Sequence, residues 1–193
     1  IDYLESSDNE NLIYSWNIID LGSDVSKFGK GLIFENKFYQ KDNLEFHKII
    51  KCINRKMIFP INLWNNLTIK FFNYFFLIYH EKMKKREYKD NFTNVIFPLY
   101  NKEIYFSLFG YNGFIESQIL ISNEKIHEFL DELKKNINYY KPSITFFSLK
   151  KMSGEQKYLR FEDNKICLTF DMVRNKKNTH FLNEMYKLYV KYN

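Results

Sequence analysis

The chain contains no alanine, and it has only six glycines and three prolines among 193 residues. Few breakers mean long stretches of regular structure. The missing alanine, beside abundant Lys, Asn, Ile, Phe and Tyr, is read as the bias of an AT-rich coding sequence. The net charge of +6 and pI near 9.0 then carry little functional weight, because that bias raises Lys whatever the protein does. Cysteine is scarce: Cys52 and Cys167 make no disulfide framework, and a reducing compartment is the default. The opening IDYLESSDNENL has neither a basic nor an apolar region, so no signal peptide is read there. It also lacks an initiating Met, and the chain is read as a fragment.

Several chemistries are absent as motifs. There is no G-x-G-x-x-G, no P-loop, no H-E-x-x-H and no serine nucleophile elbow. His47, His80, His127 and His180 are scattered without metal-ligand spacing, so no metal is expected. Nucleic-acid binding has charge and aromatics but no recognition motif, and no nucleic-acid partner is expected.

What is present suits a folded domain of ordinary size: 45% of residues are hydrophobic and 19% aromatic. LIYSWNIIDL (12–21) and GLIFENKFY (31–39) read as strands, and residues 40–56 as loosely ordered. Residues 65–86 read as a long helix, with Asn65 or Asn66 at its cap. GFIESQILIS (113–122) alternates, with Ile115, Ser117, Ile119 and Ile121 on one face. Ser122 sits where an N-cap belongs. The helix after it carries Ile126, Phe129, Leu130, Leu133 and Ile137 at helical spacing and is stopped by Pro142. SITFFSLKKM (143–152) and NKICLTFDM (164–172) read as two more strands, and residues 179–192 as a final helix. Period-two strands with one polar face predict α+β: an antiparallel sheet with helices covering one face.

Two stretches carry functional questions. In NKICLTFDM, Ile166, Leu168, Phe170 and Met172 share one face, and Lys165, Cys167, Thr169 and Asp171 the other. A cysteine on the polar face marks either ordinary wet surface or a pocket wall. In the long helix, apolar residues from Leu67 to Tyr79 run nearly all round. That run is far short of the ~20 residues that span a bilayer. Lys82, Lys84, Lys85, Arg86 and Lys89 follow it. Residues 67–89 thus have the composition of an interfacial membrane helix, or of a helix buried against a sheet with a solvated tail.

Several blocks together resemble a known family. YSWNIIDL followed by GKGLIF looks like the opening of the substrate domain in decaprenylphosphoryl-ribose oxidase-like flavoproteins, within the vanillyl-alcohol-oxidase-like group. MIFPINLWNNLTIKFFN is similar to a family segment F-P-x-x-L-x-N-x-x-T-I. FPLY and then FGYNGFIESQILI resemble P-L followed by Y-G-x-x-G-F-x-Q-x-Q and an apolar strand. FFSLKKM and NKICLTFDM also find counterparts. The resemblance runs from Tyr14 to Tyr192.

It implies that residues 1–193 form a single substrate domain whose other sheet face lines a substrate pocket over a flavin. The FAD-binding domain is not in this chain, nor is a later K-D-S-R segment with a flavin-side Lys. The implied reaction is oxidation of a sugar or polyol alcohol carbon by hydride transfer to FAD, with no catalytic residue on this chain and no activity from it alone. Cys167 falls where the family has a pocket Cys, Gln118 matches the second Gln, and Lys150 matches a pocket Lys. Glu116 replaces the first Gln, Lys165 stands where an Asn is familiar, Met152 where a Phe is, and Tyr105 where an aromatic is expected. The implied partners are a small-molecule or lipid-linked sugar and the chain's own FAD domain; the composition of residues 67–89 adds a membrane surface as a further partner. The expected location is cytoplasmic, peripheral at the inner membrane. Two alternatives stand beside this: a non-catalytic membrane- or partner-docking module, and an aldonolactone oxidase relative with a soluble substrate.

Overall fold

The computed structural model describes residues 12–19, 28–29, 31–37, 59–82, 103–152 and 165–192. The expectation for residues 40–56 lies outside the described residues, as do Cys52, His47 and the run Lys84, Lys85, Arg86 and Lys89. Five strands form one antiparallel sheet: β1 (Leu12–Ile19), β2 (Gly31–Lys37), β3 (Phe114–Ser122), β4 (Ile144–Met152) and β5 (Lys165–Val173). Their spatial order is β2-β1-β4-β5-β3. The helices are α1 (Asn66–Lys82), α2 (Glu103–Ser107), α3 (Ile126–Tyr140) and α4 (Lys176–Tyr192), with a 3-10 turn at Asn123–Lys125. The protein is α+β.

Alternation sets the main core. Ile121 of β3, Phe147 and Leu149 of β4, and Ile166, Leu168, Phe170 and Met172 of β5 pack against Ile126, Phe129, Leu133 and Ile137 of α3 and Phe181, Met185 and Leu188 of α4. The α3 residues recur every three or four positions, so one stripe of the helix meets the apolar sheet face. His127 is exposed on its opposite side. α3 ends at Lys141, which takes a left-handed conformation (φ 45°) and donates its N–H to the Ile137 carbonyl at 2.8 Å. Pro142 follows and has no N–H to continue the ladder. Asn178, fully buried in α4, donates to the Val173 carbonyl (2.6 Å) and accepts from the Ser143 N–H (3.1 Å), tying the helix to the ends of β5 and β4.

The opposite sheet face is partly covered as well, which the sequence reading did not anticipate. Trp64, Ile69, Tyr105 and Phe109 form a second buried cluster with Val173 of β5, and Phe114 and Phe146 pack against it. Residues 59–65 lead into this cluster. Asn65 caps α1, its Oδ1 accepting from the N–H groups of Leu67 (2.9 Å) and Thr68 (3.0 Å), while Thr68 Oγ1 accepts from the Asn65 N–H. At its far end α1 reaches β2, where His80 meets Phe34 edge-on at 5.5 Å. Only Ile69 of α1 is buried, so the helix is a surface element.

Three local expectations need correction. α2 was not foreseen. Ser122 makes no side-chain cap; it leads into the 3-10 turn, and α3 starts after Lys125. α4 begins at Lys176 instead of 179, because Asn175 already accepts from the Asn178 N–H at 2.8 Å and holds the first turn.

Gly110 locks the second cluster together. Its φ is +66°, and an added Cβ would lie 2.6 Å from the Ile61 carbonyl carbon. Gly113 has nearly the same φ (+67°) but open space around it. Both substitutions to Ala carry left-handed strain, and only Gly110→Ala adds a backbone collision. Gly110→Ala is therefore expected to lower stability by ~2 kcal/mol more than Gly113→Ala, as read by urea unfolding. Equal losses would show that the approach of residues 61 and 110 is not a constraint.

Candidate functional site

The face of β5 that alternates away from α3 and α4 carries Lys165, Cys167, Thr169 and Asp171. Cross-strand register sets its neighbours. Asp171 lies between Glu116 of β3 and Phe146 of β4, and Thr169 between Gln118 and Ser148. Cys167 lies between Leu120 and Lys150, and Lys165 between Ser122 and Met152. Directly opposed residues on one sheet face have Cβ atoms roughly 5 Å apart. The register therefore gathers a carboxylate row, a hydroxyl row and a thiol–amine row on one surface.

That surface is not wet where β5 crosses it. Cys167 is 1% exposed, Asp171 3%, Thr169 5% and Ser148 0%. Tyr105 from α2 reaches down onto it. Its hydroxyl donates to Asp171 Oδ2 at 3.0 Å and lies 2.7 Å from Thr145 Oγ1, which in turn donates to the Asp171 carbonyl at 3.1 Å. Thr145 sits at an irregularity between Ile144 and Phe146, where the β4 register shifts; such a bulge re-aims a side chain. Tyr105 is itself held from behind, its carbonyl accepting from Trp64 Nε1 at 3.2 Å. Two buried oxygens on this face, Asp171 Oδ1 and Ser148 Oγ, have no hydrogen-bond partner.

Burial dominates the electrostatics. It pushes the Asp171 carboxyl up to about 7, with the Glu116 charge adding to the rise and the Tyr105 hydrogen bond and Lys150 opposing it. Tyr105 is raised well above the ordinary phenol, by burial first and the Asp171 charge second. Burial pulls Lys150 down, against the opposing pull of Cys167, Glu116 and Asp171. It pushes the Cys167 thiol up, although the contact with Thr169 and the Lys150 charge act the other way. Cys167 is accordingly a thiol at neutral pH and not an activated nucleophile.

The residues nominated from the sequence divide into groups. Cys167 and Lys150 are cross-strand partners on the buried part of the face, and Tyr105 joins them there through Asp171. Glu116 and Gln118 lie on the same face but at its exposed margin, with Gln118 Nε2 donating to Glu116 Oε1 at 2.7 Å. Lys165 is half-buried at the far end of the row, and the backbone of Met152 pairs with it. Asp171, Thr145, Ser148 and Thr169 were not nominated. Asp171 and Thr169 had been placed on the polar face, but nothing local in the sequence marks a carboxyl that will be buried by a tyrosine 66 positions away. Among the described residues, no three His, Cys, Asp or Glu side chains are grouped to hold a metal ion. No protein-family model matches the chain, and no curated protein is significantly similar to it.

Asp171 makes stability depend on pH. Its carboxyl holds a proton in the folded state up to about pH 7, whereas the ordinary value is 3.8. The stabilisation by that proton is complete below pH 4 and is lost as pH rises through this window, on the order of a few kcal/mol in all. Asp171→Asn should flatten the slope of stability between pH 4 and 7 and leave the variant the more stable protein at pH 8. Parallel urea-unfolding profiles for the two proteins would rule out a protonated Asp171. Tyr105→Phe removes the hydroxyl shared by Asp171 and Thr145 and should cost about 1 kcal/mol at pH 5. In the Asp171→Asn background that cost should change, since the two side chains are in contact.

Proposed function

We propose that this chain is the substrate domain of an FAD-dependent oxidoreductase that oxidises an alcohol carbon of a sugar or polyol. The observation that carries the reading is the burial of the polar face of β5. An ordinary solvated sheet face would leave Cys167, Thr169 and Asp171 wet, and here all three are withdrawn from water. Two of the face's oxygens, Asp171 Oδ1 and Ser148 Oγ, make no hydrogen bond within the described chain, and buried groups left so call for a reason beyond packing. Among the described residues, α3 and α4 pack on one face of the sheet, and the cluster under α1 and α2 meets the other face at Val173, Phe114 and Phe146. The buried polar face supports the block-by-block resemblance to the substrate domains of decaprenylphosphoryl-ribose oxidase-like flavoproteins.

In that setting FAD would take the hydride and the domain would position the alcohol. Gln118 and Glu116 would meet hydroxyls of the substrate at the open margin, Glu116 as an acceptor only, and the half-buried Lys150 would meet them deeper on the same face. Cys167 would line the pocket as a small, neutral side chain. Lys165 and Tyr105 would bound it at either end of the strand. Whether the sugar is lipid-linked or free, as for an aldonolactone oxidase relative, is an outcome of the test.

The protein purified from its complete gene is expected to show a flavin absorption spectrum that bleaches anaerobically with a polyprenyl-linked pentose or a free aldonolactone. Lys150→Ala and Gln118→Ala should lower kcat/KM by about tenfold each, through KM, with flavin content unchanged. A colourless protein that neither copurifies with nor binds FAD would overturn the reading.

A further inference from the structure

α1 carries an exposed stripe that belongs to neither buried cluster of the described residues. Leu67, Phe71, Tyr74, Phe75 and Tyr79 follow one another at steps of four, three, one and four, which aligns them along one side of the helix. Each is more than half exposed, from 52% at Phe75 to 76% at Leu67. The other side of the helix is engaged. Ile69 is buried, Phe72 meets Trp64 edge-on at 5.4 Å, and Phe76 leads through His80 to Phe34. The helix is therefore docked, and its exposed stripe is not simply the face it would bury on folding.

Charge and composition point to one occupant. The stripe mixes Phe and Leu with two tyrosines, whose rings suit a boundary between apolar and wet phases. Lys70 and Lys82 are exposed on the same helix, against one exposed acid, Glu81. In the sequence, Lys84, Lys85, Arg86 and Lys89 follow Lys82 directly, against a single acid, Glu87, up to Lys89. In the sequence, positive charge therefore continues past Lys82, the last residue of α1. No helix among the described residues is long and apolar enough to cross a membrane.

We infer that α1 lies along the surface of an anionic membrane, with Leu67, Phe71, Tyr74, Phe75 and Tyr79 at the acyl boundary and the cations against acidic headgroups. The aromatic stripe supplies the apolar contact, and the cations select anionic lipid. This is independent of any flavin chemistry.

The test is sedimentation of the 193-residue chain with vesicles of phosphatidylcholine alone and of phosphatidylcholine with phosphatidylserine. Binding to the mixed vesicles is expected to be at least about tenfold stronger and to fall as salt rises. Phe71→Ser with Phe75→Ser should weaken it by about tenfold or more, with the circular-dichroism melt unchanged because neither residue is in a buried cluster. Lys70→Glu with Lys82→Glu should remove the preference for phosphatidylserine and keep the melt. Failure to sediment, binding that ignores both lipid charge and salt, or undiminished binding by the serine variant would each overturn the inference. So would a dimer on gel filtration that the serine substitutions dissociate, because a second copy would then cover the stripe.

Discussion

The hydroxyl of Tyr105 holds the two sides of the protein's second layer together. On one side it reaches the sheet, at Asp171 and Thr145; on the other, its own backbone carbonyl takes the indole N–H of Trp64. Trp64 is in turn positioned by Asn62, whose side chain bonds both its N–H and its carbonyl. Remove that chain of contacts and α2 and residues 59–65 lose their polar fixing point on the sheet, while the start of α1 keeps the bond from Ser143 Oγ to Asn66 Oδ1 at 2.9 Å. What remains is an aromatic contact among Trp64, Tyr105 and Phe109, with ring centroids 5.4 to 6.0 Å apart, which is attractive but far less directional. Asp171 is the acceptor; the hydrogen bond from Tyr105 favours its ionised form, but burial outweighs it and keeps the one carboxyl buried in the described part of the sheet protonated up to about pH 7.

β5 is the strand on which both layers depend. It is paired on both sides, by β4 and β3, and buried on both faces. Its sequence nevertheless alternates, which normally marks a strand with one wet face. The two facts agree once the polar face is seen as covered by Tyr105 and its neighbours and as carrying partnerless oxygens. On its second face the strand gains hydrophobic contact mainly at Val173, and Thr169 and Asp171 are costly to bury. Such a cost is tolerated where the face does something besides pack.

The sequence revealed the α3–α4 layer and the sheet's alternation well, because both rest on local periodicity. Ile126, Phe129, Leu133 and Ile137 announce their helix face, and Ile166 to Met172 their strand face, without reference to anything distant. Asn65 was legible as a cap for the same reason. The five-residue α2 was not, since it is shorter than two turns and offers no period to read. Nor was the burial of Asp171, which depends on residues 59–69 and 103–110 folding back over a strand more than 60 positions later. For the candidate site, the resemblance singled out Cys167, Lys150, Gln118 and Glu116, and the register does place them on one face. It missed Asp171, Thr145 and Ser148, which only the three-dimensional arrangement brings beside Tyr105.

The strand order has a consequence for how the chain is made. β3 leaves the ribosome before β4 and β5, yet its described partner is β5 alone, and β1 must find β4, which lies beyond α3 in the sequence. Neither strand has its central partner until synthesis has passed Met152 for one and Val173 for the other. Until then the nascent chain carries unpaired backbone and the apolar edges of Ile115, Ile119 and Ile121. The hairpin of β1 with β2 and the helix α3 are the units able to form early, from local contacts. Completion of the sheet is therefore a late and cooperative event, timed by the emergence of the last strand and not by the order in which the elements are translated.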